Sequence, residues 1–260
     1  MTFELLAIAI APGLAIAMFI YWRDKHEKEP IGLLIKCFLL GALTIIPIMV
    51  VEGFSTWFLE IDISYRLNLP TALITAFVLI ALTEEAFKYL VLTRYAYPKP
   101  DFNEPFDGIV YSTIISLGFA TLENILYVLQ GGMEVGFLRM FTAVPMHAAC
   151  GVIMGYYVGM AKFRGTSRIS GLGYAILFHG AYDFFLFQDI TPYMNLLIIP
   201  VMIWAIRLSF KAIRAHSDAS PFKNQDPANI DHPEEKFTFK YQSFQKIRLL
   251  QIILIYHLIW

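Results

Sequence analysis

The 260-residue sequence is short of charge. Only 16% of its residues are Asp, Glu, Lys or Arg and 57% are hydrophobic, whereas a soluble domain carries about 25% charged and about 45–50% apolar residues. The mean hydropathy of +0.58 agrees. So much apolar surface cannot be clothed in polar groups at this size, which excludes a soluble α/β enzyme and disorder over most of the chain. Net charge is scarce too. At −1 it offers no basic surface to a nucleic acid. Cysteine is nearly absent: Cys37 and Cys150 lie in apolar runs, with no disulfide framework and no CxxC metal spacing. There is no P-loop, no GxGxxG, no HExxH and no internal repeat.

What is there is a series of long apolar runs. A helix needs about 20 mostly apolar residues to cross a bilayer. Seven stretches qualify, at roughly 3–22, 31–58, 71–93, 106–130, 137–161, 171–188 and 191–210. This predicts an all-α polytopic membrane bundle of about seven helices. The first run lacks a basic start and a small-residue cleavage site, so it reads as a retained helix. The second is long enough to tilt or kink near Pro47. Counts of Lys and Arg in successive loops and the tail run 4, 1, 2, 1, 3, 0, 3. Basic residues favour the cytoplasmic side, so the alternation predicts an outside N-terminus and a cytoplasmic C-terminus. Residues 1–214 form the expected membrane domain and 215–260 a cytoplasmic tail. In the tail, 215–236 read as a polar linker and 237–260 as an amphipathic segment on the inner membrane face.

Ionisable residues inside the spans are few and stand out, because charge in the bilayer core is costly and usually marks function. They are Glu84, Glu85 and Lys88 in span 3, Glu123 and Asn124 in span 4, His147 in span 5, and His179 and Asp183 in span 6. Glu85, Glu123, His147 and His179 each lie about 10–15 Å from one end of a span. In a core of about 30 Å that allows one shared site. Glu84 and Lys88 are four residues apart on one helix face, and so are His179 and Asp183. Two adjacent carboxylates with one lysine leave an unbalanced acid, suited to general acid or base work. An aspartate one turn from a histidine can fix its tautomer. Elsewhere, Glu52 reads as a snorkelling or locally paired residue. Asp107 reads as a helix start beside Pro105, and Cys150 as a small packing residue.

Three motifs then occur in order on separate spans: EEAFK at 84–88 (EExxK), FATLE at 119–123 (FxxxE) and HGAYD at 179–183 (HxxxD), with PMHAACG at 145–151 between the last two. In this the chain resembles the PrsW family of intramembrane proteases, itself related to the CAAX prenyl-endopeptidases and the abortive-infection membrane hydrolases. The resemblance covers roughly residues 5–215. It implies that Glu84 or Glu85 activates water and that His179 is essential. Glu123 stands where the CAAX branch has a histidine, so His147 would supply that imidazole. Asp183 replaces an asparagine of that branch, which argues against prenyl-cysteine substrates. The resemblance further implies a bacterial plasma-membrane protein that cuts membrane-anchored regulators such as anti-sigma factors.

Peptide hydrolysis in a membrane needs water, a base, an electrophile for the carbonyl oxygen and an acid for the leaving amine. Glu85 or Glu84 is the expected base. Lys88 is expected to hold the other carboxylate, His179 oriented by Asp183 to steady the oxyanion or protonate the amine, and Glu123, His147 and Asn124 to complete the pocket. A metal version uses much the same groups: Glu85, Glu123, His147 and His179 are a plausible Zn²⁺ set. The missing HExxH favours a metal-independent version, and no cofactor is required by the sequence. A metal-dependent lipid hydrolase would leave EExxK surplus. A transporter would need matched broken helices that are not found, and a mere scaffold gives the polar groups no purpose.

Overall fold

The computed structural model describes residues 2–62 and 66–224. Nine α-helices are described: α1 (Phe3–Arg23), α2 (Ile31–Leu43), α3 (Ile45–Phe58), α4 (Leu69–Leu73), α5 (Leu82–Val91), α6 (Pro105–Phe141), α7 (Ala143–Arg164), α8 (Ile169–Phe187) and α9 (Ile198–Asp218). Among the described residues there is no β-strand; Leu67 and Gln188 pair in one isolated bridge. The protein is all-α, as expected. The amphipathic segment expected over 237–260 lies outside the described residues. The linker expected from 215 begins later, because α9 stays helical to Asp218.

Five helical stretches are long and apolar enough to cross a membrane: Phe3–Arg23, Ile31–Phe58, Leu69–Ala96, Pro105–Arg164 and Pro192–Asp218. Seven were expected. Two of those seven run together in the structure as Pro105–Arg164. A third, α8, carries His179 and Asp183, which lower its hydropathy, and it is not among the five.

Local chemistry sets the breaks. The second span bends at Thr44, three residues before Pro47. Proline cannot donate to the carbonyl four residues back, so the helix yields one turn upstream. The hydroxyl of Thr44 donates to the Gly41 carbonyl at 2.6 Å. Between α4 and α5 the chain widens into a π-helix, Ile74–Ala81, and it does so again at Leu92–Ala96. Such widenings occur often at functional sites, where they turn the following side chains. Here the first one delivers Glu84 and Glu85.

The core is built around α6, which is buried on every side from Pro105 to Thr121 and packs against α1, α2 and α7. The backbones of α6 and α7 touch. A Cβ on Gly155 would stand 2.1 Å from the Gly108 carbonyl oxygen, and one on Gly159 would stand 2.2 Å from that of Pro105. Small residues at four-residue spacing permit this approach between membrane helices. At Gly132 the backbone has φ +70° and ψ −159°, inside what is otherwise one helix. Glycine takes this conformation at little cost. The kink turns Met133–Phe141 back toward the bundle, where a loop over 131–136 and the start of the fifth span were expected.

Candidate active site

Four helices bring their ionisable side chains to one place. From α5, the Lys88 ammonium lies 2.9 Å from Glu84 Oε2 and 2.9 Å from Glu85 Oε1. It also lies 3.3 Å from His147 Nδ1 and 4.0 Å above the Phe119 ring. From α7, His147 Nε2 meets Glu123 Oε2 of α6 at 3.0 Å. From α8, His179 Nδ1 meets Glu85 Oε1 at 2.8 Å, and its Nε2 is 3.3 Å from Asp183 Oδ2. The two imidazoles cross edge to face with centroids 5.0 Å apart. Glu85 is fully buried, and Glu84, Lys88, His147, His179 and Asp183 are all at least 94% buried. In a low-dielectric site these charges are strongly coupled and hold each other in place.

Glu84 has a particular position. Its Oε2 is 4.0 Å from His147 Nδ1 and 3.9 Å from His179 Nε2, so this carboxylate faces both rings. Glu85 instead takes the role expected of Asp183. It bonds His179 Nδ1, while Asp183 Oδ2 makes no aligned hydrogen bond.

One group was missed by the sequence reading. Arg139, at the start of the expected span 137–161, is the single basic residue counted for the fourth connection. The kink at Gly132 brings it back so that its guanidinium bonds Glu123 Oε2 at 2.6 Å and Asn124 Oδ1 at 3.0 Å. Asn124 in turn donates to the Ala9 carbonyl at 2.9 Å, which ties α1 to the site. The signal was the Gly131–Gly132 pair, a helix breaker followed by a short polar-apolar run. Glu52, read as snorkelling, has Oε1 buried with no hydrogen-bond partner. Glu84, Glu123, Asp183 and His179 are its electrostatic neighbours.

Glu84, Glu85, His147 and His179 each offer one ligand atom, and all four atoms lie within 4.8 Å of one another. This set has Glu84 where the sequence-based set had Glu123, because Glu123 is held by Arg139 and lies on the far side of His147. Two imidazoles with carboxylates are the donors that zinc prefers, and Glu85 Oε2 is buried without a partner. The residues therefore fit a borderline divalent ion. Cys150 stands apart from this set, its thiol 3.7 Å from the Ala175 carbonyl.

Comparison with known proteins adds an independent line. Residues 29–207 match the family described as PrsW family intramembrane metalloprotease. Protease PrsW of Oceanobacillus iheyensis is 42% identical over 215 residues, 79% of this chain and 93% of the relative. Protease PrsW of Bacillus subtilis is 35% identical over 221 residues, 83% and 97% of the two chains. Protease PrsW of Clostridioides difficile is 32% identical over 219 residues, 80% and 90%. No solved structure matches. A buried Glu/His cluster inside a membrane bundle, with this similarity over most of the chain, leads to one conclusion: the chain belongs to the PrsW family of intramembrane metalloproteases and is an integral membrane protease.

Proposed function

We propose that the cluster on α5–α8 hydrolyses a peptide bond of a membrane-anchored protein, with Glu84 as the base for water. The observation that carries this is the position of Glu84 Oε2 about 4 Å from an imidazole nitrogen of each histidine. A carboxylate so placed takes a proton from water lying between the rings and returns it to the departing amine. Glu85 and Lys88 are positioning groups. Glu85 fixes the His179 ring through Nδ1, and Lys88 holds both carboxylates. Arg139 holds Glu123, and Glu123 holds His147. His147, His179 and one of the paired glutamates would hold a zinc ion. Bound there, zinc supplies Lewis-acid polarisation of water and of the scissile carbonyl.

The substrate is taken to be a single-span regulatory protein of the anti-sigma-factor kind, and residues 1–214 to be the protease domain. The N-terminus is assigned outside and the C-terminus to the cytoplasm. With Arg139 withdrawn into the bundle, the basic counts of the outer connections fall to 1, 0 and 0, which supports that orientation.

The test is co-expression with a tagged single-span substrate, together with metal analysis of the purified protein. Glu84→Gln and His179→Ala should abolish cleavage. Bound zinc should fall in His179→Ala. Cleavage retained in both variants removes the reading.

A further inference from the structure

A second group of acids lies at the other end of α6. The turn between α1 and α2 supplies Asp24, Glu27 and Glu29, and the start of α6 supplies Glu104 and Asp107. Asp107 and Glu123 are 16 residues apart on one helix, so this group is about 24 Å from the candidate active site along the helix axis. Glu27, Glu29 and Asp107 each offer a carboxylate oxygen, and the three atoms lie within 4.8 Å of one another. Asp107 is fully buried and Glu29 is 2% exposed.

The outer oxygens of these carboxylates are accounted for. The Tyr111 hydroxyl donates to Glu29 Oε2. The amides of Asn103 and Glu104 donate to Asp107 Oδ2, each at 2.7 Å, and Asn103 Nδ2 donates to Glu27 Oε1 at 3.0 Å. The remaining oxygen of each one, Glu29 Oε1, Asp107 Oδ1 and Glu27 Oε2, is buried without a partner. None of the three is in an ion pair with a described residue. Lys28, the nearest lysine in sequence, donates instead to the Tyr21 carbonyl. Lys162, near the same end, donates to the carbonyls of Tyr97 and Phe102.

We propose that Glu27, Glu29 and Asp107 form a binding site for a hard divalent cation, of the Ca²⁺ or Mg²⁺ type, separate from the protease site. Three convergent carboxylate oxygens with no nitrogen or sulfur donor are the chemistry such cations select. The hydrogen bonds already made orient each carboxylate and leave one oxygen free to ligate, which is how outer partners prepare a metal site. The cation would fasten the turn after α1 to the first turn of α6.

The rival occupant is a proton. Burial pushes the Glu29 carboxyl up to about 11, Glu104 to about 8 and Asp24 to about 6. A proton shared between Glu29 and Asp107 would satisfy two of the free oxygens but not the third, Glu27 Oε2.

The test is equilibrium dialysis of chelator-stripped full-length protein with radiolabelled Ca²⁺, with Mg²⁺ as competitor. Wild type should bind one Ca²⁺ that survives His179→Ala. Glu29→Gln should lose it, and Glu27→Gln, at the more exposed position, should weaken it by about tenfold or more. Asp107→Asn is a poor first choice, because Asp107 also holds two backbone amides. Saturating Ca²⁺ should raise the melting temperature of wild type and not of Glu29→Gln. No binding by wild type, binding unchanged in Glu27→Gln and Glu29→Gln, or binding lost in His179→Ala each overturns the proposal. So does a protonated-carboxyl infrared band, absent in Glu29→Gln, that persists at saturating Ca²⁺. Loss of protease activity in Glu84→Gln has no bearing on these outcomes, so the two readings fail separately.

Discussion

The two acidic groups along α6, one around Glu123 and one around Asp107, solve the same problem in different ways. In the candidate active site, Glu84, Glu85 and Glu123 each meet a protein cation, Lys88 or Arg139, and each faces an imidazole. At the other end, Glu29 and Asp107 are buried and Glu27 is partly so, with hydrogen-bond donors alone. Burying a charge costs several kcal/mol unless it is paired. One region carries its own compensation and the other leaves room for it to come from outside. Function follows the same line. A catalytic carboxylate must be held yet reactive, whereas a structural cation site must be complete only when loaded.

The largest expected effect is on catalysis. Glu84→Gln should lower the rate of substrate cleavage by about 10²–10⁴-fold, the usual contribution of a general base. Glu27→Gln should leave it near wild type. Equal losses in a cleavage assay would break the distinction between the two regions. Next in size is Arg139→Met, which strands Glu123 as an uncompensated charge. It should destabilise the fold by about 3–5 kcal/mol in denaturant unfolding, and adding Glu123→Gln should restore much of that loss. No recovery in the double variant would show that Arg139 acts through packing instead. A smaller effect is expected of Glu29→Gln in chelator. With no cation present the buried Glu29 carboxyl carries a proton, so the neutral amide replaces it at little cost and stability should hold, whereas Glu85→Gln removes a paired carboxylate and should cost stability under the same conditions. A fall of similar size in both would erase the contrast. The smallest effect is expected of Glu52→Gln, which keeps size and polarity. Glu52 has no described bond to a site residue, so cleavage should change by less than about tenfold.

The site was legible where a charged residue interrupts an apolar run, because burial there is so costly that the residue announces itself. Glu84, Glu85, Lys88, Glu123, His147, His179 and Asp183 were found this way, and the structure brings them together. Their pairing was less legible. Sequence spacing pairs His179 with Asp183 one turn away, but the helix packing gives its Nδ1 to Glu85, 94 residues distant. Arg139 was hidden by the Gly132 kink, which no periodicity reports. The acids at the start of α6 were hidden for another reason. Glu29 looks like an ordinary loop charge and Asp107 like a helix start until the fold closes a separation of 78 residues. The bend at Thr44 was anticipated at Pro47, one turn late, because a proline acts on the carbonyl behind it.

The glycine seam between α6 and α7 makes one side of the candidate site rigid. A Cβ added at Gly155 would stand only 2.1 Å from a carbonyl of α6, so these two helices meet backbone to backbone and cannot slide or part without losing that contact. They bear Glu123 and His147, and so act as a fixed jaw. By contrast, α3 buries only Ile45 and Ile48 and shows Ile46, Met49, Val50, Phe54 and Trp57 to the outside. The site is thus bordered by two helices locked through glycine and by a third held through two buried side chains.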